Sequence, residues 1–288
     1  MEVSNIWKNL PITILKPVRQ RTGFRLVSSG LADRGFHISG LREFEVGDSF
    51  RSISRKHYVR TGEEIIVERH PEQNALILVL LDVSASMSVG SSRRKIDVSL
   101  DLLRHFGSAC LWQGNKLQVL AFSSIIALES DVIASFASFE RLLEKLIELV
   151  PESRHTHYSE ALGRALEISE KSYAPADLVC IVSDFLFPSP LENFYRDMNM
   201  LQERTDVIAL LIRDPVEETA PQIGGCLQVR DAETGEFLWL TGINSSDILR
   251  EFSKQDLEAC MVTTSQNDQQ WYEALDDFFS LRPEVSNR

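Results

Sequence analysis

Residues 75–86 read ALILVLLDVSAS, and this stretch decides the fold of the chain. Its first seven residues, Ala75 to Leu81, form a continuous apolar run, as a strand buried on both faces of a parallel sheet requires. The run stops at Asp82, and Ser84 and Ser86 follow at alternate positions. This pattern predicts an α/β domain with a polar site at the carboxyl end of the strand.

Predicted strands and helices alternate from this run to the end of the sequence. We predict helices over 95–112, 139–150, 158–171, 191–201, 246–257 and 269–281, and strands over 75–81, 117–122, 125–128, 178–182, 207–212 and 261–264. The alternation predicts a doubly wound, mostly parallel sheet with helices on both faces, spanning residues 75–288. Turn residues at 231–235 predict a β-hairpin inserted near 225–241.

Residues 1–74 do not follow this alternation, and we interpret them as a separate β-rich N-terminal region. Residues 1–60 hold eleven Lys and Arg against five Asp and Glu, although the whole chain has a net charge of −12. We expect this basic segment to pack on the acidic domain or to bind an acidic partner. A nucleic-acid arm is disfavoured because the arginines are dispersed and no recognition helix is present. We expect Arg42, Asp48 and Arg51 to be partly buried and paired.

Polar residues follow several of the predicted elements at one edge of the sheet. Asp82, Ser84 and Ser86 follow the first strand, Asp184 follows a later strand, and Thr156 precedes a helix. Because the carboxyl ends of parallel strands share an edge, these residues should lie together. Carboxylates, hydroxyls and water commonly hold Mg²⁺. We therefore expect a divalent metal site, with magnesium first and manganese or calcium still open. The alternative is that Asp82 and the serines only cap the following helix.

The same residues resemble a known metal site. Residues 82–87, DVSASM, together with Thr156 and Ser183-Asp184, resemble the metal-ion-dependent adhesion site (MIDAS) of von Willebrand factor A domains. Because these residues are too few to fill six positions, we expect water to complete the coordination of the ion and a carboxylate from a partner protein to displace one of these waters. The usual Gly-Gly-Thr of the threonine loop is Arg154-His155-Thr156 in this chain, so Thr156 departs most from the pattern.

A second resemblance covers nearly the whole chain. Residues 41–53, LREFEVGDSFRSI, resemble the signature that precedes an A-type domain in the bacterial family named domain of unknown function number 58. Asp214-Pro215-x-Glu217 and residues 231–236 resemble later signatures of that family. The usual Asp-Trp after the first signature is Ser54-Arg55 in this chain. The resemblance implies a protein that works with a MoxR-type AAA+ ATPase as a chaperone or assembly factor for another complex.

Other features restrict the function classes. The sequence has no phosphate-binding glycine loop, no Gly-x-Ser-x-Gly elbow and no His-Glu-x-x-His motif, which disfavours a nucleotide-binding protein, a serine hydrolase and a zinc protease. Scattered cysteines, the absence of an apolar span and the absence of a signal peptide favour a cytoplasmic protein. We expect a metal-dependent protein-interaction module that is not an enzyme. The alternative is a hydrolase that uses the same ion to activate water.

Overall fold

A computed structural model of the chain describes residues 5–15, 36–43, 65–71, 75–149, 156–170, 175–186, 192–219, 227–230, 237–240 and 245–285. Contacts divide the chain into two compact units. The smaller comprises Phe24–Asn74, and the larger comprises Met1–Gly23 with Ala75–Arg288.

The elements are numbered in chain order. The strands are β1 Phe36–Glu43, β2 Ile65–Pro71, β3 Leu76–Asp82, β4 Lys116–Phe122, β5 Ile126–Glu129, β6 Leu178–Ser183, β7 Asp206–Arg213, β8 Leu227–Arg230, β9 Phe237–Leu240 and β10 Glu258–Thr263. The α-helices are α1 Lys95–Trp112, α2 Phe136–Glu148, α3 Tyr158–Ser169, α4 Glu192–Gln202, α5 Pro215–Thr219, α6 Ser245–Lys254 and α7 Asp268–Val285. Short 3-10 helices occupy Asn5–Asn9 and Ala85–Ser88.

The larger unit is built on a central sheet, in which six described strands follow the order β10-β7-β6-β3-β4-β5. Neighbours pair in parallel except β4 and β5, which are antiparallel. Every residue of β3 is buried, which explains the unbroken apolar run that precedes Asp82. The chain passes from β3 to β4 on one side and later returns to β6 on the other. The carboxyl ends of β3 and β6 therefore flank the point where the strand order reverses.

Helices cover both faces of this sheet. The core on one face contains apolar side chains of α1, α2 and α7, and the core on the other contains side chains of α3, α4 and α6. Each helix buries one stripe, as in α2, where Phe139, Leu142, Leu143 and Leu146 recur at helical spacing. The predicted doubly wound α/β architecture is confirmed.

The N-terminal segment, residues 5–15, belongs to the larger unit. Trp7 and Leu10 are fully buried in the core beside α1 and α7. The Gln113 side chain donates to the Leu10 carbonyl at 2.6 Å, and the Leu15 N–H donates to Asp206 at 2.9 Å. This segment therefore packs with the sheet domain, whereas the sequence placed it in an N-terminal region ending at residue 74.

The smaller unit contains the antiparallel pair β1 and β2, in agreement with the β-rich pattern of its sequence. The pairing shifts register between Ile38 and Gly40, which marks a bulge in β1. Asp48, Arg51 and the side chain of Arg42 lie outside the described residues. Their predicted pairing stays a prediction.

Several predicted boundaries differ from the structure by one to four residues, among them the start of α2 at Phe136 and the end of α7 at Val285. Helix α6 ends at Lys254 rather than 257, and β10 begins at Glu258 rather than 261. Asp256 adopts the left-handed conformation, with φ of 52°, which terminates a helix, and the Leu257 N–H returns to the Phe252 carbonyl. The hairpin strands β8 and β9 pair antiparallel, as predicted, and their turn lies outside the described residues.

Candidate metal site

Asp82 is the last residue of β3, and its side chain is completely buried. Its Oδ1 accepts the backbone N–H of Ser84 at 2.9 Å, which turns the chain at the end of the strand. The Ser84 and Ser86 hydroxyls then lie 3.1 Å apart, both buried. The alternate Asp-x-Ser-x-Ser spacing therefore gathers a carboxylate and two hydroxyl oxygens within one turn.

Capping of a following helix does not explain these residues. Ser84 precedes the 3-10 helix Ala85–Ser88, but its side chain makes no capping hydrogen bond. Helix α1 begins only at Lys95, after Arg94. The two hydroxyls contact each other instead.

The carboxyl end of β6 contributes Ser183 and Asp184 to the same place. Ser183 Oγ donates to Asp82 Oδ2 at 2.6 Å. Because the single Ser183 hydroxyl proton is used in this bond, the Tyr158 hydroxyl, 2.6 Å away, donates to Ser183. The Phe185 N–H also donates to Ser183, at 3.0 Å. Ser183 therefore holds Asp82 in place, and it is absent from the predicted ligand set. Its position directly before Asp184 is the feature of the sequence that could have indicated this role.

Thr156 is buried just before α3, at the same edge of the sheet. The neighbouring His157 donates its N–H to the Ser123 carbonyl at 2.8 Å, and Ser123 directly follows β4. Since β4 pairs with β3 through Phe122 and Asp82, Thr156 lies near the Asp82 turn. All five predicted ligands therefore lie around the carboxyl ends of β3, β4 and β6, and their coordination of an ion remains a prediction.

Asp184 has a cationic partner that the sequence did not predict. The Lys95 ammonium lies 2.6 Å from Asp184 Oδ2 and 2.7 Å from Glu217 Oε1, with 1% of the lysine side chain exposed. Arg213 lies 3.5 Å from the other Glu217 oxygen and is equally buried. These four residues, Lys95, Asp184, Arg213 and Glu217, form an ion-pair cluster beside the Asp82 turn, in which only Glu217 is partly exposed.

The Asp214-Pro215-x-Glu217 motif has a local structural explanation. Asp214 Oδ1 accepts the Val216 N–H at 3.0 Å, and Glu217 Oε2 accepts the Asp214 N–H at 3.1 Å. This is a capping box for α5 with proline at its first helical position. Although burial alone would raise the pKa of Asp214, hydrogen bonds from Ser91, Thr264 and Val216 hold that pKa below its ordinary value. The motif thus fixes Glu217 where it reaches Lys95.

The surroundings of Asp82 disfavour the ionised form of its carboxyl group. Burial, followed by the negative charge of Asp184, raises the pKa of Asp82 to about 7, against hydrogen bonds from Ser183 and Ser84 that favour the ionised form. In the described part of the chain no three His, Cys, Asp or Glu side chains gather into a metal-binding group. The donors here are two carboxylates and hydroxyls, a hard oxygen set that fits Mg²⁺ with water completing the shell. The residues therefore fit the ion, with Asp184 already partly neutralised by Lys95.

The comparisons with known proteins agree with this architecture. The family described as "Protein of unknown function DUF58" matches residues 40–259. The chain is similar to the crystal structure of the conserved hypothetical protein BatB from Bacteroides thetaiotaomicron, with 14% identity and a TM-score of 0.51, covering 73% of this chain and 99% of that chain. The predicted von Willebrand factor A-type fold is confirmed. No curated protein matches the chain.

Two further solved structures are more distant. An aerotolerance-related membrane protein from Bacteroides fragilis has 14% identity and a TM-score of 0.48, covering 72% of this chain and 98% of that chain. A von Willebrand factor type A protein from Catenulispora acidiphila has 12% identity and a TM-score of 0.44, covering 72% of this chain and 42% of that chain. Of the helices in the described ranges, none is both long and apolar enough to cross a membrane.

Proposed function

The chain belongs to the DUF58 protein family, and we propose that it is a metal-dependent protein-interaction module. One observation carries the proposal: the buried Asp82 turn and the Ser183-Asp184 end of β6 meet at the reversal point of the sheet, joined by the 2.6 Å Ser183–Asp82 hydrogen bond. Ligands of open α/β sheets bind at this position.

In this proposal Asp82, Ser84, Ser86, Thr156 and Asp184 hold a divalent ion, Mg²⁺ by preference, directly or through water. The bound ion supplies a positive charge with an exchangeable water ligand. The buried side chains exclude bulk solvent, so that a carboxylate from a partner is attracted more strongly than the roughly 1 kcal/mol expected for a contact pair in water. The site performs no chemistry on the partner.

We also propose partners for this site. A MoxR-type AAA+ ATPase and a client protein that offers a carboxylate are the expected partners, and the assembly acts as a chaperone in the cytoplasm. The support is the resemblance carried by residues 41–53 and 231–236 together with family membership.

The test is a pull-down from the source cell with tagged full-length chain, in Mg²⁺ and in excess chelator, for wild type and Asp82→Ala. Asp131→Ala is the matched control, because Asp131 is exposed next to the start of β4, at the opposite edge of the sheet. We expect an AAA+ ATPase and a client to be retained by wild type and Asp131→Ala in Mg²⁺ only. Equal retention by all three proteins with and without chelator would refute the proposal.

A further inference from the structure

The Lys95 ammonium occupies an unusual position for a lysine. Lys95 is the first residue of α1, where the helix dipole disfavours a positive charge, and its side chain is 1% exposed. Burial of a lysine is costly, and buried ion pairs are weak evidence of stabilisation because the desolvation of both charges offsets their attraction. A role in the adjacent site accounts for this placement better than a contribution to folding.

The charges around Lys95 divide into two groups. Asp184 and Glu217 share Lys95, and Glu217 also pairs with Arg213, so this cluster of two acids and two bases is balanced. Asp82 lies outside it and has no basic partner among its hydrogen bonds, which come from Ser84 and Ser183. Of the two carboxylates in the candidate ligand set, the ammonium on Asp184 thus leaves only Asp82 uncompensated.

We propose that Lys95 is an exchangeable internal cation that sets the metal affinity of the site. Its ammonium neutralises Asp184 in the metal-free protein, and Glu217 retains the ammonium when Asp184 turns to a divalent ion. Lys95 and Glu217 are positioning residues that act through Asp184. The inference rests on the proposed function, because it concerns the same metal site.

This exchange predicts effects of opposite sign. Lys95→Met leaves Asp184 without a cation, so Mg²⁺ should bind more tightly by roughly tenfold or more, since unit charges a few ångströms apart interact strongly when shielded from water. Glu217→Gln removes the alternative partner of Lys95 and holds the ammonium on Asp184, so Mg²⁺ should bind more weakly by roughly threefold or more. General damage to the fold would weaken binding in both variants.

The experiment is calorimetric titration of MgCl₂ into the full chain, after chelator treatment and dialysis, for wild type and both variants. Lys145→Met is the matched control, because Lys145 is exposed on α2, and it should bind as wild type does. Thermal unfolding with and without Mg²⁺ gives a second readout: Lys95→Met should be the least stable protein in chelator and should gain the most from Mg²⁺.

The outcomes separate the two proposals. Wild-type binding with unchanged or weaker binding by Lys95→Met overturns the inference and leaves the metal site standing. Absence of binding in wild type and in both variants overturns both. If Lys95→Met does not fold in chelator, Glu217→Gln decides, because equal or tighter binding by that variant contradicts the exchange.

Discussion

Ser183 Oγ donates a 2.6 Å hydrogen bond to Asp82 Oδ2, linking the ends of β6 and β3 across 101 positions of the chain. The bond is buried, and the Tyr158 hydroxyl and the Phe185 N–H support it from the other side. The two halves of the candidate site are thus held together by the protein itself. Metal binding at this site should need little rearrangement of the backbone.

Removing the charge of Asp82 should have opposite effects with and without metal. Burial and Asp184 raise the pKa of Asp82 from 3.8 to about 7. Between these values the folded chain retains a proton that the unfolded chain has lost, so this group lowers stability as pH rises. At pH 8 in chelator, Asp82→Asn should therefore raise the free energy of unfolding by about 1 kcal/mol or more. Urea unfolding measures this.

The variants should also differ in how much Mg²⁺ raises their free energy of unfolding. Mg²⁺ should stabilise wild type, should stabilise Ser84→Ala less, and should leave Asp82→Asn unchanged, because that variant loses a charge as well as a ligand. Stabilisation of Asp82→Asn by Mg²⁺ equal to that of wild type would contradict the assignment of Asp82.

His105 should make the stability of the larger unit depend on pH. Burial lowers the pKa of His105 below 6.5, although Asp268, 3.2 Å away, and Asp101 oppose this and Arg104 adds to it. The unfolded chain then takes up the proton first as pH falls, so stability should be lost below about pH 6.5 until the folded histidine is itself protonated.

The measurement is the urea midpoint of wild type and His105→Gln between pH 7.5 and 5.5. The variant loses the stacking of His105 on Trp7, whose ring centroids are 4.8 Å apart, so the comparison uses the slope with pH and not the absolute stability. Parallel slopes for the two proteins would show that His105 does not titrate as described.

Arg282 should be much more costly to remove than the exposed Arg250. It contacts both oxygens of Asp206 at 2.7 Å, donates to Glu258 and to the Thr13 carbonyl at 2.6 Å, and is 2% exposed. Arg282→Leu should lower the free energy of unfolding by about 3–5 kcal/mol, because it leaves the buried Asp206 carboxylate without a cationic partner. The exposed pair Arg250–Asp247 supplies the control, since Arg250→Leu should cost less than about 1 kcal/mol. Comparable losses in denaturant titrations would be inconsistent with this difference in burial.

Two helical glycines should respond oppositely to alanine. A Cβ on Gly107 in α1 would lie 2.4 Å from Phe139 Cζ and 3.1 Å from Leu117, whereas a Cβ on Gly163 in α3 meets nothing within 4 Å. Gly107→Ala should destabilise by about 1–3 kcal/mol through overpacking. Gly163→Ala should stabilise by about 0.5–1 kcal/mol through helix propensity. Calorimetric melting of both variants checks the signs, and a gain for Gly107→Ala would show that Phe139 moves aside freely.

Local patterns in the sequence predicted most of the larger unit. The bounds of α1 are those expected from its apolar stripe, and the buried strands are visible as apolar runs because both of their faces are covered. Asp82 and Asp184 were predicted because each follows such a run. Their convergence follows from the rule that parallel strands share a carboxyl edge.

Residues that depend on distant partners were not predictable in this way. Lys95 is the first residue of the predicted helix 95–112, and its burial depends on Asp184 and Glu217, which lie 89 and 122 positions away. Trp7 lies in a basic, irregular stretch, and its place in the core depends on α1 and α7. The local periodicity of the sequence does not indicate contacts between residues that lie so far apart in the chain.

The burial of Trp7 and Leu10 bears on how this protein is divided for expression. A fragment that starts at Ala75 would keep the sheet and every candidate ligand but would leave a void beside His105 and Tyr272, whose rings contact Trp7. Emptying an aromatic site of this kind costs about 3–5 kcal/mol, a large part of the stability of an ordinary domain. A cloning boundary that preserves the folded A-type domain must therefore lie upstream of residue 5 and retain the intervening unit or a linker in its place.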